Sequence, residues 1–233
     1  MFKEEETLYI LIGLISGFLI PFIARRLGKI LPATTGIILY QLPHIPRFPH
    51  VHNPLQTKQF HQKWLQLLLR ACLLALLNTG LFALARYILP SIAFIYAALF
   101  IWIILCAAYT DIRFFLLPDC LTIPLLMFGF LFAAQTRLIS PQQSAFGALF
   151  AYGIITLAVL ACTKMKNNLF GGGDSKMLIA LGSWLGIEGI NYTFLVSFFI
   201  FVIYSFFTKS RSGAYGPALS LASLLCFFLL YAK

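Results

Sequence analysis

Apolar residues along this chain come in long unbroken runs rather than in alternation, and short polar segments between the runs carry most of its charge. A helix needs about 17–25 apolar residues to cross about 30 Å of hydrocarbon. Continuous runs fit helices, whereas a membrane barrel would show alternation. The pattern predicts spans over 8–24, 65–88, 91–109, 120–136, 142–163, 175–187, 191–207 and 214–231, about eight in all. The expected fold is therefore all-α and polytopic, embedded in a lipid bilayer. Its parts are a first transmembrane helix (1–24), a polar loop (25–63) and a transmembrane core (64–233). Gly13 and Gly17, and again Gly182 and Gly186, stand four apart and read as sites of close helix contact.

Composition agrees with that reading. The chain is 61% hydrophobic and 10% charged, against about 45–50% and about 25% in soluble domains. The net charge of +10 could suggest nucleic acid, but its distribution argues for topology instead. Twelve of the 17 Lys and Arg fall in alternate loops, which the positive-inside rule makes cytoplasmic. Lys3, Arg86, Arg137 and Lys233 fall on the other side. No nucleic-acid partner is expected, and the predicted location is a bacterial inner membrane. In the first segment Arg25, Arg26 and Lys29 follow the apolar run and Glu4 to Glu6 precede it. That is the reverse of a cleavable signal peptide, so an uncleaved span with a periplasmic N-terminus is expected.

The chemistry concentrates in two loops that this topology puts on the cytoplasmic side. Asp111, Asp119 and Asp174 are the only aspartates, and ionisable groups at a membrane boundary usually have a role. Asp174 follows Gly171, Gly172 and Gly173 and precedes Lys176 at the start of an apolar helix. Capping explains an Asp there but not three glycines, which suit a place where another backbone comes close, as an extended substrate does. The span 175–187 is short, so Asp174 is expected below the membrane surface or in a thinned bilayer. Pro118 and Asp119 look like the start of the next helix, with Asp119 as its cap and Arg113 as a charge partner. Asp111 closes the preceding helix, where the macrodipole disfavours an anion. Two carboxylates in opposite dipole environments suggest an aspartyl dyad that shares one proton and activates a water. Asp174 would then be the base and Asp111 the proton carrier, the pair titrating as a unit.

The residues resemble a known family. Asp111 to Leu125, with its D-x-R, Leu-Pro-Asp and Leu-Thr pattern, resembles the first aspartate motif of the type IV prepilin peptidases. Gly171 to Gly186 resembles their second motif, G-x-G-D-x-K-L with a small-residue helix after it. Tyr215-Gly216-Pro217-Ala218-Leu219 looks like the Gly-Pro-x-Leu element opening their last span. The resemblance implies a membrane aspartic endopeptidase of the GxGD type that removes the basic leader from type IV prepilins and type II secretion pseudopilins on the cytoplasmic side. It puts the catalytic pair on Asp111 and Asp174, and it implies no cofactor for proteolysis.

The N-terminal third departs from the family pattern. Many members carry two C-x-x-C pairs that bind zinc after the first span, and bifunctional members use S-adenosylmethionine to N-methylate the new N-terminus, an activity associated with that region. Here no cysteine precedes Cys72. Zinc is not expected, and S-adenosylmethionine would be needed only if the methyltransferase activity were retained. The five cysteines are isolated and read as small hydrophobes. His44, His50, His52 and His61 match no closed tetrahedral metal site, and their loop reads as facing solvent or lipid headgroups. No metal ligand is expected, and the oligomeric state is not readable.

A different class of function is the alternative: a secondary transporter or proton-coupled carrier whose aspartates bind an ion. Such carriers place their sites near the midplane on discontinuous helices repeated in two halves. Here the aspartates lie at span ends. A non-catalytic scaffold would leave the glycine triplet unexplained.

Overall fold

The computed structural model describes the backbone of residues 2–30, 54–164, 171–208 and 214–232, with side chains except at 2–5, 29–30, 54–61, 161–164 and 208. Most of the 25–63 loop and the side chains of its four histidines lie outside these residues. The described residues form seven helical runs. They are α1 (Phe2–Ile30), α2 (Pro54–Ile88), α3 (Ser91–Phe114), α4 (Asp119–Gln135), α5 (Pro141–Lys164), α6 (Gly172–Thr208) and α7 (Gly216–Tyr231). Five contain stretches long and apolar enough to cross a membrane, and α4 and α7 are shorter apolar helices. Large hydrophobic side chains such as Leu11, Leu69, Leu149, Leu157 and Phe206 stand exposed on them. This is an all-α, multi-pass membrane protein.

The helices run past the apolar stretches that announced them. The first continues to Ile30 through Arg25 and Arg26, and the second begins at Pro54. Long basic side chains at a span end keep their charge in the headgroup zone while the backbone stays hydrogen-bonded, so a change of polarity need not end a helix.

Two of the expected spans, 175–187 and 191–207, belong to the single run α6. Gly186 interrupts it with φ 66° and ψ −173°, a conformation that glycine adopts without the steric cost of a Cβ. The chain turns back there, as contacts at both ends of α7 require. Tyr231, at the end of α7, donates its hydroxyl to the carbonyl of Trp184 (2.6 Å). Tyr215, just before the start of α7, is hydrogen-bonded to Ser197 (2.6 Å). Residue 184 thus sits by the far end of α7 and residue 197 by its near end. The arms 172–185 and 187–208 form a helical hairpin with no loop, so the described residues hold eight helical segments. Glu188, expected in a connecting loop, is an exposed residue in the first turn of the second arm.

The core lies where α3, α4, α7 and the first arm of α6 meet. Trp184 is fully buried, its ring centroid 4.7 Å from that of Phe100 and 5.1 Å from that of Phe132. Phe227 of α7 stacks on Phe100 at 4.7 Å. The indole N–H of Trp184 is donated to the carbonyl of Leu125 (2.7 Å), so the polar edge of this large ring is satisfied as burial demands.

Small residues set the helix approaches. A Cβ on Gly147 of α5 would collide with the carbonyl of Gly182, and one on Gly182 with the backbone of Gly147. Gly17 lies against the backbone of Ala75, and Gly13 against Thr79. Asn78, fully buried, donates to the carbonyl of Gly13 (2.8 Å). Both glycine pairs in the sequence are therefore contact surfaces, as their spacing suggested.

Candidate active site

The C-terminal end of α3 and the N-terminal ends of α4, α6 and α7 converge at one end of the bundle. Asp111 lies in the last turn of α3, which closes at Phe115 in the left-handed region (φ 52°) with its N–H on the carbonyl of Asp111. Asp111 is only 5% exposed. Its Oδ2 accepts the backbone N–H of Gly216 at 2.8 Å. Helix N-termini present unpaired N–H groups, and Pro217 at the start of α7 supplies a residue preshaped for that position.

Asp174 lies in the first turn of α6, half-buried. Its carboxylate is within electrostatic range of Asp111. Asp174 also acts on Tyr215: burial pushes that phenol up, and the negative charge of Asp174 adds to the rise. The two aspartates, 63 positions apart by their residue numbers, thus share one small region with Tyr215 and Gly216.

The neighbouring residues differ in detail from their sequence-based roles. Asp119 does not cap α4. Pro118 holds the cap position and no side chain bonds there. The Asp119 carboxylate instead reaches Lys176 Nζ on the first turn of α6, an ion pair of 2.6 Å. Its partner is therefore Lys176 and not Arg113, whose guanidinium lies over the Tyr109 ring, 6.0 Å from the centroid. Four-residue spacing along one helix face puts those two side chains together.

The three glycines are not equivalent. A Cβ on Gly173 would come within 2.7 Å of Leu117 Cβ and 3.1 Å of its carbonyl, so this glycine is engaged by the loop before α4. Gly172 has open space around its Cβ position, and Gly171 is exposed beside the Asp174 carboxylate. Among the described residues no three His, Cys, Asp or Glu side chains gather as a metal site.

Sequence reasoning passed over two members of this region. Gly216 was visible only as part of a Gly-Pro helix start, and the bond it makes to Asp111 spans 105 positions. Ser197 carried no signal at all, because nothing in a local pattern says that the chain doubles back at Gly186.

Residues 97–206 match the model of the type IV leader peptidase family. The chain is similar to that family over those residues, just under half of its length. It is 28% identical over 230 residues to the prepilin leader peptidase/N-methyltransferase of Escherichia coli, covering 94% of this chain and 93% of that one. The protein of the same description from Dickeya chrysanthemi is 31% identical over 183 residues, 72% of this chain and 65% of the relative. The one from Vibrio cholerae is 31% identical over 124 residues, so that the match spans about half of each chain (51% and 49%). No solved structure matches.

Proposed function

We propose that this protein is a membrane-embedded aspartic endopeptidase that removes the basic leader from type IV prepilins or type II secretion pseudopilins. The observation that carries the reading is that Asp111 and Asp174, each on a different helix end, lie within electrostatic range of each other, with a backbone N–H fixed on Asp111.

Hydrolysis by such a pair needs one carboxylate and one carboxylic acid, because like charges held close share a proton. The charged member takes a proton from a water whose oxygen adds to the scissile carbonyl carbon. The protonated member gives its hydrogen to the carbonyl oxygen. Collapse of the tetrahedral adduct breaks the C–N bond, and the proton taken from water goes to the leaving amine. The N–H of Gly216 keeps Oδ2 of Asp111 in place as an acceptor and leaves Oδ1 for the shared proton. Gly172, with open space at its Cβ position, and the exposed Gly171 beside the Asp174 carboxylate offer an edge along which an extended substrate can lie.

The site faces the cytoplasm of a bacterial inner membrane in this reading, with the N-terminus periplasmic. The support is the bias of Lys and Arg toward the loops on the aspartate side. Proteolysis is the activity assigned. N-methylation with S-adenosylmethionine would be a second one, on a chain with no cysteine before Cys72.

The test is incubation of the purified protein with a tagged prepilin, wild type beside Asp111→Asn and Asp174→Asn. Cleavage by the wild type alone supports the assignment. No cleavage by any of the three overturns it and leaves the ion-carrier class standing. Mass spectrometry of the product reads the cut position and any added methyl group together.

A further inference from the structure

The residues around the aspartate pair include a tyrosine that the dyad mechanism does not use. Tyr215 is the residue before Gly216, and its hydroxyl lies 2.6 Å from Ser197 Oγ on the second arm of α6. Ser197 is fully buried, and its hydroxyl is donated to the carbonyl of Phe194 (2.9 Å). A serine has one O–H to give. With that hydrogen on Phe194, the Tyr215 hydroxyl must be the donor to Ser197. The ring is steadied by Phe201, edge-on at a centroid distance of 5.4 Å. The phenol is thus held by direction as well as by position, through two residues of the second arm of α6.

Gly216 is the next residue along the backbone. Where the Tyr215 side chain is tied to the second arm, the Gly216 N–H is aimed at Asp111 Oδ2. We propose that Tyr215 is a positioning residue of the proteolytic site: its hydrogen bond to Ser197 fixes the peptide that presents the Gly216 N–H, and so sets the Asp111 carboxyl against Asp174. This rests on the endopeptidase reading above. Burial holds the phenol above its ordinary range, with the Asp174 charge adding to the rise. The tyrosine therefore keeps its proton at working pH, and a changed pH profile on its replacement reports on the aspartates.

The test uses full-length enzyme in detergent with a tagged prepilin. Tyr215→Phe removes only the hydroxyl, and Ser197→Ala removes only its acceptor, from a different helix. The expected result is a fall in kcat of about ten- to a hundredfold in either variant, the range that a slight misplacement of reacting groups produces. KM should stay near the wild-type value, and the pH–rate profile should be displaced. The double variant should be no worse than the poorer single one, because both remove the same bond. Wild-type kcat and an unmoved pH profile in both single variants, or additive losses in the double, would overturn the proposal. Failure of the wild type itself to cleave would instead remove the endopeptidase reading, and this inference with it. If Tyr215→Phe is recovered unfolded, Ser197→Ala alone decides through the same kcat and pH readouts.

Discussion

Gly216 gives its backbone N–H to Oδ2 of Asp111 across 2.8 Å, and the approach is so close that a Cβ on the glycine would lie 2.6 Å from the same oxygen. Nothing about the backbone angles there requires glycine. The requirement is the carboxylate.

Gly216→Ala should therefore displace Asp111 without unfolding the bundle. Turnover of a prepilin substrate is expected to fall about a hundredfold, as for a misplacement near 1 Å, with the thermal midpoint close to wild type. Normal turnover in this variant would show that Asp111 has room to move and still function.

The bond from Tyr231 to the carbonyl of Trp184 is buried and joins α7 to the hairpin of α6. Tyr231→Phe leaves that carbonyl without its partner, a loss of about 1–3 kcal/mol. A lower unfolding midpoint in detergent is the expected readout, with activity per folded molecule retained because the tyrosine is at the opposite end of α7 from the aspartates.

Gly147 and Gly182 meet backbone to backbone. Gly147→Ala must push α5 off α6 and is expected to destabilise by about 1–3 kcal/mol, the usual cost of overpacking. Chemical denaturation in detergent measures it. Gly153→Ala on the same helix, with open space at its Cβ position, serves as the comparison and should be neutral or slightly stabilising.

The pair Lys176–Asp119 is short, 2.6 Å, but its side chains are 52% and 38% exposed. Exposed pairs contribute about 0–1 kcal/mol. Lys176→Met and Asp119→Asn should each leave the unfolding midpoint nearly unchanged. Any effect on cleavage should then appear in KM, since Lys176 follows the glycine triplet at the start of α6 and Asp119 is held on it.

The apolar helices and the two aspartate stretches were legible in the sequence because each is a local signal. Apolar length announces a span, and Asp between glycines and an apolar run announces a helix start. The partnerships were not legible. Arg113 is the nearest cation to Asp119 along the chain, yet Lys176 takes it, because α4 and α6 begin side by side. The glycine triplet read as one feature, whereas Gly173 packs on Leu117, Gly171 lies beside the Asp174 carboxylate and Gly172 alone stays open. The loop expected around Glu188 is missing because one glycine in an unusual conformation does the turning.

That turn has a consequence for how much variation the second arm tolerates. Ser197 is placed by counting residues from Gly186, at 1.5 Å and about 100° per residue of helix. One residue inserted or deleted between them would swing the serine out toward lipid and bring another side chain to face Tyr215. The length of this stretch is thus constrained even where its exposed apolar residues are freely interchangeable.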